Sequence, residues 1–161
     1  MIKTISIPQT IKVFFGILIA AGLLCSSPLK AQTPKSKSKA DLSEDQVKAI
    51  VEKHLTLWNE LDKGKRAVIL QDIYAPDIEM VDRHFVAKGY AQIDGFIEDL
   101  HKKNPGFRFS HSKPVDAHHN VARMFWQMGD AAHPAAVTGM DLFVLKDGKV
   151  HKLYVFVDAG K

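Results

Sequence analysis

The first part of the folded region carries hydrophobic residues at helical spacing. Ser43 and Gln46 form a capping-box pair, and the apolar positions after them predict an amphipathic helix from residue 44 to about residue 61. The buried stripe of this helix is expected to consist of Val47, Ile50, Val51, His54, Leu55 and Trp58. Two shorter helices and two short strands are predicted to follow, the helices at 66–74 and 90–103 and the strands at 78–81 and 84–87.

From residue 107 onward the hydrophobic period changes to two, which is typical of half-buried strands. Four strands are predicted, at 107–113, 120–128, 135–145 and 149–157. Asp147-Gly148 predicts a tight hairpin between the last two. Helices that precede a run of long strands predict an α+β fold, with the helices packed on one face of a curved antiparallel sheet.

The N-terminus has the pattern of a secretory signal peptide. Lys3 and Lys12 accompany an apolar stretch that is shorter than the roughly 20 residues needed to cross a bilayer. Cleavage after Ala31 would remove residues 1–31, including Cys25, the only cysteine, and would leave neither a disulfide nor a thiol nucleophile. We therefore expect an exported protein, more often periplasmic than extracellular, without stable membrane insertion. An uncleaved anchor and lipidation at Cys25 are the alternatives.

Charge is distributed unevenly along the chain. The first 40 residues contain six of the 22 lysines and arginines and no acidic residue, so the remainder is slightly acidic. This distribution argues against a nucleic-acid partner, because such a partner needs a basic face on the domain itself. Residues 32–42 are mostly polar and are predicted to be a flexible linker to one domain, 43–161.

Short motifs of aromatic, acidic and glycine residues follow one another along the domain. They are Trp58-Asn59-Glu60, Tyr74-Ala75-Pro76-Asp77-Ile78, Asp82-Arg83-His84-Phe85 with Gly89, Asn104-Pro105-Gly106-Phe107-Arg108-Phe109, Asp116-Ala117-His118-His119-Asn120, Arg123, Trp126, Gly139-x-Asp141 and Asp147-Gly148-Lys149-Val150. This ordered series resembles the nuclear transport factor 2-like (NTF2-like) superfamily, and within it the polyketide-cyclase-like group called SnoaL-like. Arg83 departs from the pattern, since proline is common at its place, so the turn that carries Asp82 is expected to differ in shape.

The resemblance implies a cone-shaped NTF2-like fold whose open end is a pocket for a small, mostly apolar ligand. The superfamily contains isomerases, cyclases, hydrolases, dehydratases and non-enzymatic binders, so the fold alone does not select an activity. Such folds commonly dimerise through the outer face of the sheet. Phe125 is expected on that face and is a candidate contact of a homodimer, with an isolated exposed aromatic as the alternative.

Strand alternation indicates which residues face the pocket. On strand 120–128 the more apolar face carries Ala122, Met124, Trp126 and Met128. On the next strand, Asp141 shares a face with Gly139, Phe143 and Leu145. An inward carboxylate among apolar side chains is typical of a proton-transfer group, so Asp141 is the first catalytic candidate. A structural aspartate bonded to an arginine or to the backbone is the alternative interpretation.

Asp82 and His84 form a second candidate pair. Residues two apart on a strand share a face, so both side chains could point to one place, with the aspartate orienting the imidazole for acid/base work. The alternative is a turn aspartate that binds its own backbone, beside a half-exposed histidine.

Several further residues are candidates for ligand binding. Trp58, Tyr74 and Trp126 could form an aromatic wall, although core packing explains them equally well. Met124 and Phe143 lie on the inward strand faces, and Asn59 could bind a polar group of the ligand or cap a helix.

No metal or cofactor is predicted. His118 and His119 are adjacent and would diverge on a strand, and the chain has no His-x-x-x-His helix. Glycine-rich phosphate loops and the Gly-x-Ser-x-Gly elbow are also absent from the sequence.

These features favour an exported protein that binds a small apolar or aromatic molecule, with cofactor-free isomerase or cyclase chemistry through Asp141, Asp82 and His84 as its activity. A non-catalytic binding or interaction module is the second hypothesis; it predicts a pocket whose carboxylates are neutralised by salt bridges, and a paired Asp141 with no cavity would favour it. An epoxide-hydrolase-like Asp-Arg-Asp site is the third, but alternation places Arg123, the available arginine, on the outer face.

Overall fold

The structure, a computed structural model, describes residues 42–158. The predicted signal peptide and all but the last residue of the predicted linker lie outside the described residues. None of the helices within 42–158 is long and apolar enough to span a membrane.

Three helices precede most of the sheet. They are α1 (Glu44–Asn59), α2 (Lys63–Ile73) and α3 (Gly89–Lys103). The predicted capping box is present, because the Ser43 hydroxyl accepts a hydrogen bond from the Gln46 main chain and the Gln46 side chain accepts one from the Ser43 N–H. α2 begins three residues earlier than predicted, since Asp62 is its N-cap, accepting from Lys65 N at 2.8 Å, and not part of a break.

The described strands form one sheet of seven. They are β1 (Tyr74–Val81), β2 (Val86–Lys88), β3 (Arg108–His111), β4 (Asp116–His118), β5 (Val121–Gly129), β6 (Val137–Lys146) and β7 (Lys149–Val157). The order is β2-β1-β7-β6-β5-β3, with β4 on the same edge of β5 as β3. β1 and β7 run parallel and the other pairs are antiparallel, so the sheet is mixed, not purely antiparallel as predicted.

Two strand predictions need correction. The segment 107–113 was expected to be one strand, but β3 ends at His111 and a separate strand, β4, follows within what was predicted as a connection. Pro114 explains the interruption, because proline cannot donate a ladder hydrogen bond. The short strand predicted at 84–87 is displaced to Val86–Lys88, so His84 lies in the preceding turn.

The core lies between the helices and the inner face of the sheet. α1 packs on β3, β4 and β5, whereas α3 packs on β1 and β2. Alternation on β5 and β6 is as predicted: the buried side chains are Ala122, Met124, Trp126, Met128, Asp141, Phe143 and Leu145. α1 contributes His54 and Trp58 to this interior, each less than one-tenth exposed.

Polar contacts fix the C-terminal end of α1. Arg66 is buried, and its guanidinium donates to Asp94 on α3 at 2.7 Å and to the carbonyl of Leu61 at 2.8 Å. Asn59 exchanges two hydrogen bonds with the main chain of Phe109 on β3, at 2.8 and 2.9 Å. These contacts hold the last turn of α1 against the sheet, and that turn carries Trp58.

Candidate functional site

An apolar cavity of about 120 Å³, called here the inner cavity, lies between α1, α3 and the inner face of the sheet. Its size suits roughly one aromatic ring, since an engineered cavity of about 150 Å³ binds benzene. Its aromatic lining residues are Trp58, Phe85, Phe96, Phe109 and Trp126. Neighbouring rings in this group pack with centroid distances of 4.7 to 5.8 Å.

Asp141 is a carboxylate in the wall of this apolar cavity. It lies in the middle of β6, opposite Met124 on β5 and Val155 on β7, and only 4% of the residue is exposed. Both of its oxygens are engaged: Oδ1 accepts a hydrogen bond from Trp126 Nε1 at 2.8 Å, and Oδ2 lies 3.2 Å from His54 Nε2. The two contacts fix the carboxylate beside the space that a ligand would occupy.

His54 is the residue that connects Asp141 to the helices. It lies on the buried face of α1, is 2% exposed and lines the inner cavity. Its second ring nitrogen, Nδ1, is 2.6 Å from the hydroxyl of Tyr74, which in turn accepts a hydrogen bond from Trp58 Nε1 at 3.3 Å. The ring also makes an edge contact with Phe143 at 4.8 Å.

The donors in this chain of contacts determine the tautomer of His54. An indole N–H only donates, so Trp58 occupies an acceptor site of the Tyr74 oxygen, and the Tyr74 O–H is left to donate to His54 Nδ1. His54 then carries its proton on Nε2, the nitrogen that lies 3.2 Å from Asp141 Oδ2. Protonation of His54 at Nδ1 as well would leave the Tyr74 hydroxyl without an acceptor among residues 42–158.

Tyr74 keeps its proton because of its surroundings. Complete burial raises the pKa of Tyr74 far above its usual value, and the nearby Asp141 charge raises it further. The hydrogen bond from Trp58 lowers this pKa, but by less than burial raises it. Tyr74 is therefore a permanent donor to His54 at any physiological pH.

Comparison with known proteins gives matches among solved structures. A chain from Agrobacterium tumefaciens, named as an isomerase candidate of the SnoaL-like family, is 27% identical with a TM-score of 0.66, and the match covers 71% of this chain and 99% of that one. An NTF2-like protein from Cytophaga hutchinsonii is 12% identical with a TM-score of 0.54 over 74% and 94% of the two chains. A polyketide cyclase candidate from Sinorhizobium meliloti is 16% identical with a TM-score of 0.55 over 71% and 99%. This chain has the NTF2-like fold.

No family model matches the sequence, and none of the curated proteins matches it either. The predicted NTF2-like and SnoaL-like fold is therefore confirmed by the comparison with solved structures.

Within the NTF2-like fold, the predicted ligand-binding residues fall into three groups. Trp58, Met124 and Trp126 line the inner cavity. Tyr74 and Phe143 are fully buried behind it and contact His54 instead. The amide of Asn59 is committed to Phe109, so its role in this structure is to join α1 to β3.

The predicted pairing of Asp82 with His84 on one strand face was wrong. β1 ends at Val81, and both residues lie in the turn before β2. Asp82 Oδ1 accepts a hydrogen bond from the main-chain N–H of His84 at 2.8 Å, which is the turn geometry named as the alternative. Asp82 nevertheless lines the inner cavity, whereas the His84 side chain is exposed and does not.

The remaining titratable candidates lie away from the inner cavity. Arg123 is exposed and pairs with Asp116 at 2.9 Å on the outer side of the sheet, as alternation predicts. No group of three His, Cys, Asp or Glu side chains within the described residues could hold a metal ion. His111 Nε2 lies 2.9 Å from Glu52, and His118 packs against His119 with ring centroids 5.7 Å apart.

His54 is the site residue that the sequence reasoning did not recognise. The helical period placed it correctly on the buried face of α1, between apolar neighbours. A polar side chain on an otherwise apolar stripe was the available signal, because a buried histidine needs partners. Those partners are 20 and 87 positions further along the chain, on strands that only the tertiary fold brings together.

Proposed function

We propose that this protein binds a small apolar or aromatic molecule in the inner cavity and moves a proton on it without a cofactor, as an isomerase or a cyclase does. The observation that supports this proposal is the position of Asp141, a carboxylate in an apolar cavity wall whose two oxygens are held by His54 and Trp126. A fixed carboxylate beside an apolar ligand is the arrangement that general base catalysis on carbon requires.

The proposed step begins when one oxygen of Asp141 takes a proton from a carbon of the ligand next to a carbonyl group. The electron pair of the broken C–H bond is delocalised into that carbonyl. In an isomerisation, Asp141 returns the proton to a different carbon. In a cyclisation, the carbanion attacks a second carbonyl of the same ligand, and the proton goes to the new alkoxide.

His54 and Trp126 are positioning residues in this scheme. Trp126 donates a hydrogen bond to one oxygen of Asp141, and His54 Nε2 lies 3.2 Å from the other. The two contacts keep the carboxylate oriented while the ligand binds. Tyr74 acts one step further away, since its hydroxyl holds His54 in the tautomer that donates from Nε2. The names of two similar structures, an isomerase candidate and a polyketide cyclase candidate, agree with this class of reaction.

A non-catalytic binding module is the second candidate function. The observation in its favour is that Asp141 already has a partner, His54, at 3.2 Å. The cavity of ring size beside this carboxylate argues against a module that only contacts other proteins, whereas a ligand-binding module would also have such a cavity. Turnover distinguishes the two functions.

The decisive experiment is a turnover screen with cyclic enones and β-dicarbonyl compounds of one-ring size. We expect Asp141→Asn to abolish turnover of any active compound while ligand binding is retained. Asp116→Asn is the matched control, because Asp116 is an exposed carboxylate that pairs with Arg123 outside the cavity. If Asp141→Asn turns over every active compound as fast as the wild type does, the catalytic assignment is wrong. Mass spectrometry of molecules that co-purify with the protein would identify the ligand class.

We also propose that the protein works after export, most often in the periplasm. The support is the sequence pattern of residues 1–31. Mass spectrometry of the protein recovered from the periplasm should give a chain that begins at Gln32. A full-length chain confined to the cytoplasm would contradict the proposal.

A further inference from the structure

A second cavity, called here the outer cavity, lies beside the inner one. Its volume is about 510 Å³, and it is formed by the ends of β1 and β7 and the turn between β1 and β2. Three residues line both cavities: Asp82, Val155 and Val157. The two spaces therefore adjoin at these three residues.

The outer cavity exists because β7 is longer than its neighbour. Val81, the last residue of β1, pairs with Tyr154, and β7 continues for three more residues. Over Val155–Val157, β7 pairs with β6 on one side and with no described strand on the other. The turn that carries Asp82 leaves the sheet at this point, which opens the space beside β7.

Asp82 is the charged residue at the junction of the two cavities. One oxygen, Oδ1, is used by its own turn, because it accepts from the main-chain N–H of His84. The other, Oδ2, has no hydrogen-bond partner among residues 42–158. The residue is only half-buried, so this oxygen is open to a ligand.

The other charges of the outer cavity are more exposed than Asp82. Arg83 and His84 line the outer cavity but are exposed. Asp158 is exposed as well and accepts a hydrogen bond from the Thr138 hydroxyl at 2.5 Å. Water and salt screen exposed charges more strongly than half-buried ones. A ligand that occupied both cavities would therefore lie beside two carboxylates, Asp141 in the wall of the inner cavity and Asp82 where the cavities adjoin.

We propose that the two cavities form a single binding site for a ligand with an apolar ring and a hydrogen-bond donor, the ring filling the inner cavity and a hydroxyl or ammonium group binding Asp82 Oδ2. The inference rests on the proposed use of the inner cavity as a ligand site. Asp82 is then a specificity residue and not the acid/base partner of His84. Anionic ligands should bind less tightly, because their charge would lie beside the half-buried Asp82, whereas Arg83, the cation that lines the outer cavity, is exposed and its charge is screened by water and salt.

The test uses three probes of the same size: 2-phenylethanol, 2-phenylethylamine and phenylacetate. Dissociation constants are measured by calorimetry for the wild-type full chain. The alcohol and the amine should bind at least about tenfold more tightly than phenylacetate, the size of effect expected for a hydrogen bond to a charged group. Equal affinity of phenylacetate and 2-phenylethanol, or no binding of any probe, would overturn the proposal.

Asp82→Asn should reduce this preference to less than about threefold while the protein still folds, because the asparagine oxygen can accept the same turn hydrogen bond. Asp82→Ser is a second variant with a turn-compatible oxygen. The matched control is Asp130→Asn, since Asp130 also accepts turn hydrogen bonds, from Ala132 and His133, but lines neither cavity. A preference that persists unchanged in both Asp82 variants contradicts the role of Asp82.

The two proposals fail in different ways. If Asp141→Asn leaves turnover unchanged but Asp82→Asn alters the preference among the probes, the acid/base function is wrong and the specificity role of Asp82 stands. If Asp141→Asn abolishes turnover but the probes show no charge preference, the proposed function stands and the role of Asp82 is wrong.

Discussion

The indole ring of Trp126 occupies the space that a side chain at Gly139 would fill. The two residues are direct partners across β5 and β6, and a Cβ atom at position 139 would lie 2.4 Å from Cζ2 of the indole. Because glycine leaves this space open, the indole lies over β6 and its Nε1 reaches Asp141, two residues further along. Gly139 thus helps to orient Asp141, the candidate catalytic carboxylate, by leaving room for the indole that binds it.

Gly139→Ala should displace the Trp126 ring and weaken its hydrogen bond to Asp141. Overpacking of this kind costs about 1–3 kcal/mol of unfolding free energy. Urea denaturation measures the cost, and the NMR shift of the Trp126 indole proton reports the bond. The control is Gly95→Ala in α3, where no atom lies near the added methyl group and stability should rise by about 0.5–1 kcal/mol. An unchanged indole shift in Gly139→Ala would show that the glycine is not needed for the bond.

His54 and Asp141 should be coupled energetically. Removing one of them leaves the other buried without its partner, at a cost of about 1–3 kcal/mol. A double-mutant cycle with His54→Leu and Asp141→Leu should therefore give a double variant that is less destabilised than the sum of the single variants, by about 0.5–3 kcal/mol. His54→Leu combined with Asp116→Ala is the control pair and should be additive. Additivity of the first pair would refute the contact between His54 and Asp141.

The sequence predicts Asp141 well because strand alternation is strict. Once β6 is recognised, the burial of Phe143 and Leu145 also requires Asp141 to point inward, and it does. The same rule placed Trp126 and Met124 in the inner cavity wall. Local signals also predicted the start of α1, since its capping box consists of Ser43 and Gln46 and depends on no distant residue.

The sequence predicts the end of β1 at Val81 correctly, but it starts β2 at His84, two residues too early, and that error affected Asp82 and His84. The start of β2 depends on its antiparallel pairing with β1, in which Val81 lies opposite Val86. The turn between the two strands closes through a main-chain hydrogen bond from Asp82 N to the Phe85 carbonyl, so residues 82–85 lie outside both strands. Similarly, the helical spacing predicts that His54 is buried on α1, but it does not predict that His54 contacts Tyr74 and Asp141.

Tyr74 should make stability dependent on pH in the alkaline range. Burial raises the pKa of Tyr74 in the folded state, whereas in the unfolded chain the phenol ionises near its ordinary value of about 10. The stabilisation from Tyr74 is thus complete below about pH 10 and decreases above it, because only the unfolded state loses the proton, by about 1.4 kcal/mol per pH unit. The difference in unfolding free energy between wild type and Tyr74→Phe should be constant up to about pH 9 and shrink from about pH 10 upward.

The comparison with Tyr74→Phe removes the contributions of the other tyrosines and of the lysines, which both proteins share. Chemical denaturation at intervals between neutral pH and pH 11 provides the measurement. A difference that stays constant over the whole range would mean that Tyr74 is not held protonated by its surroundings.

The outer face of the sheet should mediate a homodimer, as expected for Phe125. Phe125 lies opposite Met140, and Met140 lies opposite Phe156, so three large apolar side chains cross the outer face in one row. Phe156 is 55% exposed, while Lys113 partly covers Phe125 with its ammonium 4.3 Å from the ring centroid. A second copy would bury this row, and truncating a hot-spot residue at an interface centre costs about 2 kcal/mol or more of binding free energy.

Light scattering after size exclusion should therefore show a dimer for the wild type and a monomer for Phe125→Glu and Phe156→Glu. The matched control is Val68→Glu, because Val68 is an exposed apolar residue, 70% accessible, on α2 and away from the outer face. This control should remain dimeric. A monomeric wild type at all accessible concentrations, or a dimer that survives both outer-face substitutions, would show that the row of Phe125, Met140 and Phe156 is not an interface.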